Sequence, residues 1–145
     1  MNQFKNILCA TDFSADSDRA VARALELAQK SGAKLTLLHV VEHFPVDRSN
    51  EFIAPEDVDP VVFRRQKAEE ALKAEAQRLR HPELHWEVVT CKGGAGHEIV
   101  NHARAAGNDL IVVGCSSRTG KPSFWSVPGC VQRHATMAVE VVYPD

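Results

Sequence analysis

The stretch Asn6–Gly32, NILCATDFSADSDRAVARALELAQKSG, decides the fold. Its first six residues, Asn6 to Thr11, form a short apolar run that reads as a buried strand. Ser14 then supplies a hydroxyl that can cap a helix, with Ser17 as an alternative. Ala20, Val21, Ala24, Leu25, Leu27 and Ala28 recur at helical spacing, and Gly32 is a suitable stop. The next segment, Lys34–Glu42 (KLTLLHVVE), is rich in branched aliphatics, as a strand covered on both faces must be. A strand, a helix and a second fully covered strand make one parallel βαβ unit.

Outward from this unit the alternation continues. Helices are expected at Val61–His81, Ala95–Gly107 and Ser126–Thr136. Strands are expected at Leu84–Cys91, Asp109–Gly114 and Ala138–Val142. The interval His43–Pro60 carries Pro45, Pro55 and Pro60 among Asp47, Glu51, Glu56, Asp57 and Asp59, and reads as a loop. Its length suits a variable surface insertion, with a lid or partner surface as the functional alternative. The implied fold class is α/β: a five-stranded, doubly wound parallel sheet of order 3-2-1-4-5 with helices on both faces, one domain over residues 1–145. In such sheets ligands bind beyond the carboxyl ends of the strands, where the winding reverses. Here that crevice lies between the first and fourth strands, where loops begin at Thr11–Asp12 and at Gly114.

Composition narrows the function. A net charge of −2, with 44% hydrophobic and 25% charged residues, argues against broad non-specific binding to nucleic acid. No apolar run is long enough to span a membrane, and the first residues lack the apolar core of a signal peptide. A cytoplasmic location is expected. The mixed charges of Val61–His81 read as a solvated helix face with i,i+4 pairs.

The four cysteines, Cys9, Cys91, Cys115 and Cys130, form no C-x-x-C pair and read as free thiols. Cys9 belongs to the core. Cys115, at a strand end, is the best candidate for an exposed, reactive thiol. Of the seven histidines, His81 and His85 are separated by Pro82 and a strand, and His97 and His102 share a helix face poorly. No metal site is expected from these spacings, and His39 reads as a hydrogen-bonded core or interface residue. No nucleophile with a positioned base is visible, so no catalytic residue is assigned and an enzymatic role is not favoured. Gly120-Lys121 follows Gly114 one residue too late for a P-loop, and Pro122 stands where the Ser/Thr would bind magnesium. Gly93–Ile99 (GGAGHEI) reads as a tight turn into a helix.

The segments ILCATDFSADSDRAVARALELA, AKLTLLHVVE, HEIVNHARAAGNDLIVVG and VQRHATMAVEVV together resemble the universal stress protein family over nearly the whole chain. That resemblance implies the five-stranded fold argued above and a choice between members that bind ATP and members that do not. It implies that Ala10, Thr11 and Asp12 face the nucleotide and that the backbone of Val40 and Val41 meets the adenine. It further implies a phosphate loop of the form Gly, two residues, Gly, nine residues, Gly, Ser/Thr. Gly114 matches the first glycine and Ser126 the final hydroxyl. Ser117 and Trp125 replace the other two glycines, and the loop is two residues short. Glycine lets backbone amides approach phosphate closely, so the loss has weight. Arg118, Gly120 and Lys121 offer charge and flexibility in its place, and the amides after Ser126, starting at Val127, offer the positive end of a helix.

The resemblance also implies a homodimer in which the last strands pair. Ala138, Val139, Glu140, Val141 and Val142 form an edge strand that invites a second copy, with Glu140 and Pro144 as possible guards in a monomer. The expected function is a stress-response protein that acts without catalysis, through homodimerisation and an unidentified protein partner, with ATP binding impaired or absent. The alternative is a sensor that holds ATP or AMP in the crevice between the first and fourth strands. A pocket that keeps only its nucleoside end would accept AMP or adenosine.

Overall fold

The computed structural model describes residues 4–42, 59–116 and 126–144. In chain order the elements are β1 (Asn6–Ala10), α1 (Ala15–Ser31), β2 (Lys34–Glu42), α2 (Pro60–Leu79), β3 (Leu84–Cys91), α3 (Ala95–Ala106), β4 (Leu110–Gly114), α4 (Val127–His134) and β5 (Ala138–Val142). All strand pairs are parallel and the order is β3-β2-β1-β4-β5. The expected fold class is therefore observed.

Side-chain alternation in the strands builds a core on each face of the sheet. Ile7 and Cys9 of β1, Leu35 and Leu37 of β2 and Val112 of β4 pack under α1 and α2, where Ala24, Ala28 and Leu72 close that layer. Leu8, Leu38, Ile111 and Val113 face the other way, against Ile99, Val100 and Ala103 of α3 and Val131 of α4. Full burial of one such Leu or Ile stabilises the fold by about 1.5–3 kcal/mol.

Element ends follow local chemistry. Ser14 caps α1 by accepting from the Ser17 amide, and Gly32 ends that helix at φ 66°. Several ends differ from the sequence expectation, among them that of α2, which stops at Leu79 where His81 was expected. Pro60 is not loop but the start of α2, behind the Asp59 cap, because proline fits the first helical turn, where its missing N–H costs nothing. At the other end α4 stops at His134, and Ala135 returns to extended backbone. Most of the proline-rich interval, residues 43–58, lies outside the described residues. Among the described residues no helix is long and apolar enough to cross a membrane.

Candidate functional site

The carboxyl end of β1 is held by a dense local network. The Thr11 amide donates to the Leu38 carbonyl at 2.9 Å. The Thr11 hydroxyl donates to Ser17 Oγ at 3.0 Å, and Ser17 Oγ in turn donates to the Ser14 carbonyl at 3.0 Å. Ser14 gives both its amide and its hydroxyl to one carboxylate oxygen of Asp12. Burial alone would push the Asp12 carboxyl up. The hydrogen bonds from Ser14 and Ser17 outweigh it and hold the group below the ordinary carboxylate range, so it is ionised at neutral pH.

His39 completes this wall. Its Nδ1–H donates to the Thr11 carbonyl at 2.7 Å, and its ring lies 4.7 Å from the Phe13 ring. Phe13 adopts φ 66°, which the neighbouring turn imposes on a bulky residue. The hydrogen-bonded role expected for His39 is what the structure contains.

The opposite wall is made by the end of β4 and the start of α4. A Cβ at Gly114 would lie 2.2 Å from the Asp16 carbonyl oxygen and 2.6 Å from its carbon. The first turn of α1 thus crosses β4 so closely that only glycine fits there. Ser126 caps α4 and accepts the Gly129 amide at 3.1 Å. Pro128 has no N–H. Of the amides expected to offer themselves after Ser126, one does not exist and another is already donated to Ser126. That expectation is corrected: Val127 is left as the main donor of the turn.

Between these walls lies a cleft of about 360 Å³. It is lined by Ala10, Thr11, Asp12, Val40, Gly114, Ser126 and Val127, all expected from the sequence. Val41 is not among its lining residues; its side chain is buried in the core under α1 and α2, because adjacent strand residues face opposite ways. Ser117, Arg118 and Gly120, with Lys121 and Trp125, lie outside the described residues.

Sequence reading missed the acidity of the site. Asp16 and Glu42 join Asp12 on its surface, and no described lining residue is Lys or Arg. Glu42 Oε2 accepts the Ala95 amide at 3.3 Å and so caps α3, whose Gly94 offers no side chain for the purpose. The alternating aliphatics of KLTLLHVVE signal a strand but not where its terminal glutamate lands.

Cys115 corrects a second expectation. It is only 4% exposed, and its amide donates to the Val142 carbonyl at 2.9 Å. The β4–β5 ladder thus extends one residue past the end of β4. Cys9 is core as expected, and burial, aided by the Glu75 carboxylate, pushes its thiol far up.

Strand β5 stands at one edge of the sheet. Val139 and Val141 pack against the α3–α4 core. Glu140 of this strand is ion-paired. It is taken by Arg23 of α1 through Nε at 2.6 Å and Nη2 at 3.3 Å.

Comparison with known proteins agrees with this architecture. The sequence model of the universal stress protein family matches residues 3–142. Universal stress protein A homolog 1 of Coxiella burnetii is 32% identical over 117 residues, which cover 81% of this chain and 80% of that protein. Among solved structures, universal stress protein UspA from Lactobacillus plantarum superposes with a TM-score of 0.74 at 26% identity, covering 98% of this chain and 99% of the other. A universal stress protein in complex with cAMP gives a TM-score of 0.68 at 23% identity and covers 98% of each chain. One from Archaeoglobus fulgidus in complex with dAMP gives 0.67 at 20%, covering 97% of this chain and 99% of that one. At those two identities the likeness is one of fold.

Proposed function

The chain belongs to the universal stress protein family, and from that premise we propose that its cleft holds an adenine mononucleotide or nucleoside in preference to ATP. One observation carries the preference. Three carboxylates, Asp12, Asp16 and Glu42, line the cleft, and no described lining residue is Lys or Arg. Carboxylates suit ribose hydroxyls, which donate to them. They repel a triphosphate, which carries about two more negative charges than a monophosphate. The first turn of α4 gives little compensation, since Pro128 lacks an amide and Gly129 has donated its own. Two proteins of the same fold, held in complex with cAMP and dAMP, support a ligand of this size.

On this reading the protein is a non-enzymatic sensor whose output is contact with another protein. Calorimetric titration with adenosine, AMP, cAMP and magnesium-free ATP tests it. The expected order has AMP or adenosine tighter than ATP. ATP binding tighter than AMP would overturn it.

We further propose a homodimer through β5. It is supported by the position of that strand at the sheet edge and by the engagement of Glu140 with Arg23, which takes the charge away from guard duty. Sedimentation equilibrium should give twice the chain mass. A monomer at high protein concentration would remove this part.

A further inference from the structure

We propose that His97, Cys130 and His134 form a site for a transition-metal ion of the Zn²⁺ class, which pins α3 to α4. The donor atoms of these three residues lie within 4.8 Å of one another. They come from two elements. His97 is in the first turn of α3, and Cys130 and His134 are four residues apart on α4, which puts both on one face of that helix. The two imidazole rings, of His97 and His134, lie with centroids 4.5 Å apart and planes inclined at 41°.

Gly96 shows how the thiol reaches this position. A Cβ there would lie 2.6 Å from Cys130 Cβ and 2.7 Å from its Sγ. Only the missing side chain lets α4 close on α3 and set the thiol beside His97. The half-buried cysteine therefore has a fixed place, while the two exposed histidines can turn toward it.

The donor set selects the ion. One thiolate and two imidazoles suit Zn²⁺, Co²⁺, Ni²⁺ or Cu, and not Mg²⁺ or Ca²⁺, which take oxygen ligands. Metal–sulfur and metal–nitrogen bonds of about 2.3 and 2.1 Å place tetrahedral donors roughly 3.4–3.8 Å apart. The cluster must contract by about 1 Å, which rotation of two surface imidazoles supplies. Three protein ligands leave a fourth position for water or an incoming donor. Cys130 and His134 have the i,i+4 spacing of a helical ligand pair, but nothing in the linear sequence places His97 beside them.

This site is separate from the cleft, but the same helices reach both. Ala95 and Ile99 of α3 and Val127 and Pro128 of α4 line the cleft. An ion at the His97–Cys130–His134 cluster thus fixes the spacing of two helices whose first turns form one of its walls.

The test is titration of the metal-stripped full-length protein with Co²⁺. The expected result is a thiolate-to-cobalt charge-transfer band and tetrahedral ligand-field absorption that saturate at one ion per chain, displaced by Zn²⁺. Cys130→Ser should abolish the charge-transfer band. His97→Gln and His134→Gln, both at exposed positions, should each weaken binding more than about tenfold. Cys91→Ser, at the other half-exposed thiol, should change nothing. Absence of the band at saturating Co²⁺, its persistence in Cys130→Ser, or unchanged affinity in both histidine variants would overturn the proposal. The histidine variants keep it decidable should Cys130→Ser fold poorly.

Discussion

The alpha carbon of Gly114 faces the carbonyl of Asp16 so closely that a methyl group would overlap it, at 2.2 Å. The glycine that matches the family's phosphate loop is thus required by helix packing in this chain, with or without a ligand. Gly114→Ala should destabilise the fold by about 1–3 kcal/mol, the usual cost of forcing a methyl into a packed site. Urea denaturation, with and without AMP, checks this. Equal loss in both conditions marks a packing role. Unchanged stability with weakened ligand binding would assign the glycine to the ligand instead.

Asp12 provides a pH signature. Its native pKa is lowered by its hydrogen bonds, so folding favours the ionised form. The resulting stabilisation is fully present above the unfolded value of about 3.9 and is lost as pH falls through the lower native value. Asp12→Asn should cost on the order of 1 kcal/mol at pH 7, the worth of a charged hydrogen bond. Below both pKa values the variant and the parent should be equally stable. Thermal unfolding from pH 7 down to pH 2 reads the convergence; a constant gap would show that Asp12 acts through shape alone.

Glu42 separates charge from geometry in the cleft. Glu42→Gln keeps an oxygen to accept the Ala95 amide and removes one negative charge. A unit charge at about 8 Å in water is worth ~0.5 kcal/mol. For two additional phosphate charges the ATP-to-AMP affinity ratio should therefore rise about fivefold. Paired calorimetric titrations with AMP and magnesium-free ATP measure that ratio. No change would remove the acidic lining as the source of nucleotide preference.

The thiols should divide into two classes. Cys91 and Cys130 are partly exposed, and Cys9 and Cys115 are buried. In metal-free protein a thiol-reactive chromophore should titrate two groups readily and all four only in denaturant. Rapid labelling of Cys115 would show that the end of β4 opens easily.

The contrast between Cys9 and Cys115 shows where sequence stops. Cys9 sits inside an alternating apolar run, and that local pattern is enough to bury it. Cys115 lies just past the end of such a run, yet it is buried, and its amide is held by the Val142 carbonyl, 27 positions away. The order of elements was legible for the same reason as Cys9: branched aliphatics, helical stripes and the caps Ser14 and Gly32 are local signals. In the cleft, Thr11, Asp12 and Gly114 could be placed because strand ends in a doubly wound sheet have known positions. Asp16 and Glu42 could not, since their approach depends on how α1 and α3 settle on the sheet. The donated Gly129 amide and the meeting of His97 with Cys130 and His134 are likewise products of packing between elements distant in sequence.

The Arg23–Glu140 pair lies half-exposed, and its direct worth to stability is about 0–1 kcal/mol. Its position gives it another meaning. Arg23 is nine residues from Ser14 along α1, about 13 Å of helix. The first turn of this helix shapes the Asp12 turn, and its middle grips the outermost strand. A single helix thus ties the free margin of the sheet to the rim of the cleft.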